Sequence, residues 1–288
     1  RVTDASGFDD GSVLIVAFEG WNDAGEAASG AARAVRDQLE LVPLVEVEPE
    51  DYFDFQFNRP SVSFNESGER VLEWPSVTLY GPAGGGPGMH VLLGTEPSRG
   101  WKTFASEVID ALTTADISGI VFLGAMLADV PHTRPISVFV SSESAELRSE
   151  FELERSTYEG PVGIISVLSM AAQAAGVPSM SIWASVPHYV HNAPSPKAQL
   201  ALISRLEDFV PLVVARGNLV EESAAWESGI DALAGDDDDM AAYIAQLEQA
   251  RDTVDSPEAS GDAIAEEFER YLRKRDGKAG GEDRPGGP

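Results

Sequence analysis

The chain has 288 residues, 48 acidic and 20 basic, for a formal charge of −28; 43% of it is hydrophobic, 8% is aromatic, and there is no cysteine. This is the composition of a globular protein long enough to bury a sizeable core. It excludes disulfides, thiol nucleophiles and thiolate-held metals, it disfavours nucleic-acid phosphates and anionic membranes as partners, and no run of 18 apolar residues offers a membrane span.

Residues 1–11 carry an Arg but no apolar core, so they do not read as a signal peptide, and a reducing cytoplasm is the expected location. SVLIVAF at 12–18 is an apolar, β-branched run that predicts a buried parallel strand. The Ala-rich stretch 24–40 predicts a helix, with Asn22 or Asp23 as its cap and Glu26 in its first turn. LVPLVEVE at 41–48 predicts a strand, completing a right-handed βαβ opening. Residues 49–75 are less regular. Strands follow at SVTLYG and at MHVLLG (89–94), joined by PAGGGPG, then an amphipathic helix over 101–115 and a buried strand over 118–125. The remaining core elements are a strand at 135–142, a helix at 142–151 capped by Ser142 or Ser144, a strand passing into a helix over 162–176, a strand at 178–187 and a Pro-started helix at 194–210. Strands alternating with helices predict a doubly wound α/β core.

After about residue 216 no strand is expected. The segment 217–288 holds 19 acidic and 7 basic residues, net −12. Helices are predicted at 235–254, with Met240, Tyr243, Ile244 and Leu247 on one stripe, and at 260–276. The resulting division is a core domain at 10–215, an acidic helical region at 216–276 and a disordered tail at 277–288. The four-Asp run 236–239 is read as a solvated helix start rather than a metal site.

Ligands of open α/β sheets bind beyond the carboxyl ends of the strands, so the polar residues there are the candidates. After the first strand stand Glu19, Trp21, Asn22 and Asp23, equally suited to holding a ligand or to capping and packing. TEPSRGW supplies Glu96 and Arg99, with Ser98 expected to cap the next helix. GAMLADVPHTRP supplies Asp129, His132 and Arg134; His can move a proton and Arg can clamp an anion, unless an Asp–Arg pair merely braces the loop. Tyr158 in YEGPVG and His188 in VPHYVH complete the set. GPAGGGPG at 81–88 is a weak phosphate signal, lacking the Lys and Ser/Thr of a phosphate loop. No HxH or HExxH spacing is present, so no metal and no cofactor is expected.

Together FEGWNDAG (18–25), DYFDFQFNRP (51–60), LLGTEPSRGW (92–101), GAMLADVPHTRP (124–135), YEGPVG (158–163) and PSMSIWASVPHYV (178–190) resemble the actinobacterial branch of the proteasome assembly chaperone 2 family. The resemblance implies a three-layer α/β/α core with a mostly parallel sheet, similar to nucleoside phosphorylases and nucleosidases, plus a small C-terminal helical domain. It also implies a non-enzymatic assembly or interaction protein, with proteasome subunits as partners and homo-oligomers, trimers in particular. The alternative is a ligand-binding protein or enzyme using the strand-end pocket: Asn22 and Asp23 for polar groups, Arg134 or Arg99 for an anion and His132 as acid/base. It would be nucleosidase-like or, as some family descriptions have it, an ATP-dependent carboxylate–amine ligase. The residues argue against the ligase, because only Lys102 and Lys197 lie in the core.

Overall fold

The computed structural model describes residue 8 and residues 11–254. Seven strands form one sheet: β1 (Ser12–Glu19), β2 (Val42–Glu46), β5 (Val77–Gly81), β6 (Met89–Thr95), β7 (Ile117–Ala128), β8 (Val138–Ser142) and β9 (Ser179–Pro187). Their order is β2-β5-β6-β1-β7-β9-β8. The four central strands β6, β1, β7 and β9 are mutually parallel, while β5 and β8 run against their neighbours. A separate two-stranded hairpin, β3 (Ser61–Phe64) with β4 (Arg70–Glu73), lies between β2 and β5 in sequence.

The alternation of β1 builds both layers at once. Val13, Ile15 and Ala17 point into one core, and Leu14, Val16 and Phe18 into the other. The first core is covered by α1 (Ala27–Gln38) and α6 (Pro196–Leu206). Ala27, Ala28, Ala31 and Ala32 are fully buried, and such small side chains let α1 approach the sheet closely. The second core is covered by α3 (Trp101–Thr114) and α5 (Ile164–Ala174) through Phe104, Leu112, Ile164, Ile165 and Leu168. Each large side chain so buried contributes roughly 1.5–3 kcal/mol. Short helices α2 (Pro49–Tyr52) and α4 (Ala145–Phe151) complete the core, and α7 (Leu219–Gly235) and α8 (Asp238–Val254) follow it. The three-layer, mostly parallel fold with C-terminal helices is as expected.

Several local expectations are corrected. β1 and β2 are not neighbours; β5 and β6 lie between them, and the exposed β2 forms the sheet edge. Residues 162–165 are not a strand: the run from Ile164 is helical throughout, apolar because α5 is buried against the sheet. Ser98 does not cap α3, whose N-cap is Gly100 at φ 69°; the Ser98 hydroxyl accepts from Asp54 N instead. GPAGGGPG is the turn of the β5–β6 hairpin, with Gly85, Gly86 and Gly88 at positive φ. Helices α2 and α7 and the β3–β4 hairpin were not foreseen. The helix expected at 260–276 and the tail at 277–288 lie outside the described residues.

Gly94 of β6 sets how closely β5 can lie: a Cβ there would fall 2.1 Å from Ser76 O and 2.6 Å from Val77 Cα. Both are backbone atoms and cannot swing aside. Gly94→Ala is therefore expected to cost about 2 kcal/mol or more, measured as a lower midpoint in urea denaturation.

Candidate functional site

The strand ends hold two clusters. The first forms where β1 and β6 finish. Asp23 is 7% exposed, and its Oδ1 accepts from Ala28 N at 2.8 Å and Ser29 N at 3.0 Å, capping α1. Its backbone bridges to Ala125 of β7, whose N donates to Asn22 O at 2.8 Å. The buried Asn22 Nδ2 donates to Glu96 Oε1 at 3.1 Å, and that oxygen also accepts from Ile164 N at 2.8 Å, closing the start of α5. Gly163 is required beside it, because a Cβ there would sit 2.2 Å from Asn22 Nδ2. Burial raises the pKa of both Asp23 and Glu96, and the hydrogen bonds that each accepts oppose the shift only partly. At the rim, Glu19 Oε1 pairs with Arg33 and its Oε2 accepts from Thr95 Oγ1 at 3.4 Å, while Trp21 is exposed.

The second cluster stands where β7 and β9 finish, under α7 and α8. His132 is completely buried. Tyr189 OH lies 2.8 Å from its Nδ1 and accepts from its backbone N at 2.7 Å; Asp231 Oδ1 of α7 lies 2.9 Å from its Nε2. Trp226 and Tyr189 meet the imidazole edge to face. Burial pushes the Tyr189 hydroxyl up to about 12, so it stays a phenol. Lys197, at the start of α6, donates to His132 O at 2.6 Å and pairs with Glu227 of α7. Arg134 grips α8 with a fork, Nε to Asp252 Oδ1 at 2.8 Å and the second nitrogen to Oδ2 at 2.9 Å, and also reaches Glu248. Asp129 Oδ1 accepts from Tyr243 OH of α8 at 3.3 Å and lies 3.3 Å from His188 Nδ1.

Two candidates stand apart. Arg99 donates to Asp51 O and Glu50 O at the end of α2, and Tyr158 OH donates to Pro161 O at 2.9 Å. Among the described residues no group of three or more His, Asp or Glu side chains is placed to hold a metal. The Asp run at 236–239 instead starts α8, Asp237 Oδ1 accepting from Asp239 N and Met240 N. The residues that sequence reasoning missed are the receivers: Glu227 with Asp231, and Glu248 with Asp252. Their i, i+4 spacing was the available signal, since it sets each pair of carboxylates on one helix face.

A parallel-centred α/β/α sandwich whose strand ends are closed by an appended helical pair defines the class. The PAC2 family profile matches residues 17–234, and the chain belongs to that family. It is 40% identical to a PAC2 family protein of Streptomyces avermitilis, covering 81% of this chain and 99% of that one with a TM-score of 0.72. It is 38% identical to a Mycobacterium tuberculosis proteasome-assembly chaperone homologue, with the same coverage and a TM-score of 0.71. A Pyrococcus furiosus homologue of proteasome-assembly chaperones, 18% identical over 84% of this chain and 95% of that one at a TM-score of 0.57, shares the fold. No curated protein matches.

Two outcomes follow from the clusters. Glu96 has a folded pKa above the ordinary 4.5, so the folded chain keeps a proton that the unfolded chain has released. Its contribution is fully present below 4.5 and is lost as pH rises through the folded value. Glu96→Gln keeps an oxygen for Asn22 and Ile164 but cannot titrate. Urea midpoints between pH 4.5 and about 7 should fall less steeply with pH for this variant than for wild type. Arg134→Ala removes the fork on α8. Amide exchange in α8 should quicken about tenfold while the sheet is unchanged, as read by hydrogen-exchange mass spectrometry.

Proposed function

We propose that this chain works without catalysis, as an assembly-chaperone-like protein that binds proteasome subunits and associates with itself in the cytoplasm. The observation that carries the reading is the 38% identity to the Mycobacterium tuberculosis proteasome-assembly chaperone homologue across 99% of that chain. The strand ends are consistent with it. A catalytic acid, base or anion clamp needs an open valence toward a ligand. Asp23 and Glu96 instead hold helix N–H groups, His132 is closed between Tyr189 and Asp231, and Arg134 holds α8. No specific observation favours a nucleosidase or a carboxylate–amine ligase.

The test is capture from solution. Purified chain, immobilised through an affinity tag, is mixed with recombinant proteasome subunits of its source organism before and after ring assembly. Retention of unassembled subunits is the expected result. Reproducible absence of retention for every subunit tested would overturn the reading.

A further inference from the structure

The β3–β4 hairpin is amphipathic in the wrong sense for a lone molecule. Val62 stands opposite Leu72 and Phe64 opposite Arg70, while Ser61 faces Glu73 and Ser63 faces Val71. Opposed residues share a face and neighbours in a strand alternate. One face is therefore Val62, Phe64, Leu72 and Arg70, and the other is Ser61, Ser63, Val71 and Glu73. The second face turns toward the molecule: Ser61 and Glu73 line a cleft of about 240 Å³ with Asn58, Arg59, Trp74, Pro75 and Thr95. Ser63 is the one hairpin residue of the eight that is not exposed. The apolar face looks outward, with Val62 49%, Phe64 69% and Leu72 57% exposed.

A two-stranded hairpin is at best marginally stable in water without a covered apolar face. This hairpin pairs with no other strand among the described residues, so its outward face needs a cover. We infer that the cover is the same face of a second copy of this chain, packed about a two-fold axis. The inference rests on the proposed self-association and locates its surface.

Charge favours a second copy at this place. The chain as a whole is at −28, yet segment 57–75 carries two arginines against three glutamates, so self-repulsion is weakest here. Arg70 lies on the apolar face with no ion-pair partner among the described residues. Glu66 and Glu69 stand at the hairpin tip beside it. Tip-to-tip packing sets each Arg70 against the carboxylates of the other copy, as an isologous contact requires. Three side chains fall short of the ~800 Å² per partner of an ordinary stable interface. The same end of the sheet exposes Leu44 and Val45 on the edge strand β2, with Phe57 ahead of the hairpin, and these extend the apolar area.

The experiment is sedimentation equilibrium of the full chain over a concentration series, with circular dichroism of each variant. Wild type is expected to self-associate. Phe64→Ser with Leu72→Ser should weaken association at least about thirtyfold, as central apolar anchors do, with the folded spectrum retained. Arg70→Glu should weaken it in the same direction. Val213→Ser, which alters an 81%-exposed apolar residue elsewhere, should leave the mass unchanged. A monomeric wild type would overturn both self-association and this surface. A wild type and Phe64/Leu72 variant that associate equally would overturn the surface alone.

Discussion

The architecture depends on a single knot at the carboxyl ends of β1 and β6. Two buried carboxylates face each other's helices across the sheet: Asp23 holds the first turn of α1 on one layer, and Glu96 holds Ile164 N of α5 on the other. Asn22 joins them, giving its amide to Glu96 and its carbonyl to Ala125 of β7. Leaving a helix's first N–H groups unpaired in a buried site costs about 1–3 kcal/mol each. The knot removes that cost for two helices at once and fixes both to the same three strands. Its own cost is visible in the raised pKa values of the two carboxyls, since desolvation outweighs the bonds they accept.

The other end of the parallel set is closed by charge rather than by caps. His132, Arg134 and Lys197 on the core meet Asp231, Glu227, Glu248 and Asp252 on α7 and α8. The apolar contribution is modest: Ile230, Ala234, Ile244 and Leu247 are the buried anchors of the two helices. Exposed ion pairs of this kind add little singly, but several sharing one face hold the helices in register over the strand ends. The acidity of the C-terminal helices is thus partly structural, matched to three cations of the core.

Much of this was legible from residue order. Alternation and β-branching marked β1, β6, β7 and β9, and helical spacing marked α3 and α6. What failed, failed for identifiable physical reasons. A βαβ pattern does not say whether later strands insert between the first two, and β5 and β6 do. An apolar run such as VGIISVL is the same for a buried strand and a buried helix. The candidate residues were placed at the correct sheet edge, but whether Asp23 caps or binds depends on which N–H groups come within 3 Å of it. Arg134 and His132 have partners about a hundred residues away, on a helical pair that local pattern only half revealed.

The polar strand ends that would make a catalytic pocket in another protein serve here as fasteners, which leaves the outer surfaces for recognition. The chemistry of the relatives and the outward apolar hairpin agree with a protein that acts by contact. The most direct measurement is a paired one on Asp23→Asn, Glu96→Gln and His132→Gln: thermal midpoint and capture of proteasome subunits on the same preparation. Fasteners predict lower midpoints with unchanged capture by the folded fraction. A variant that kept the wild-type midpoint yet lost capture would contradict the account.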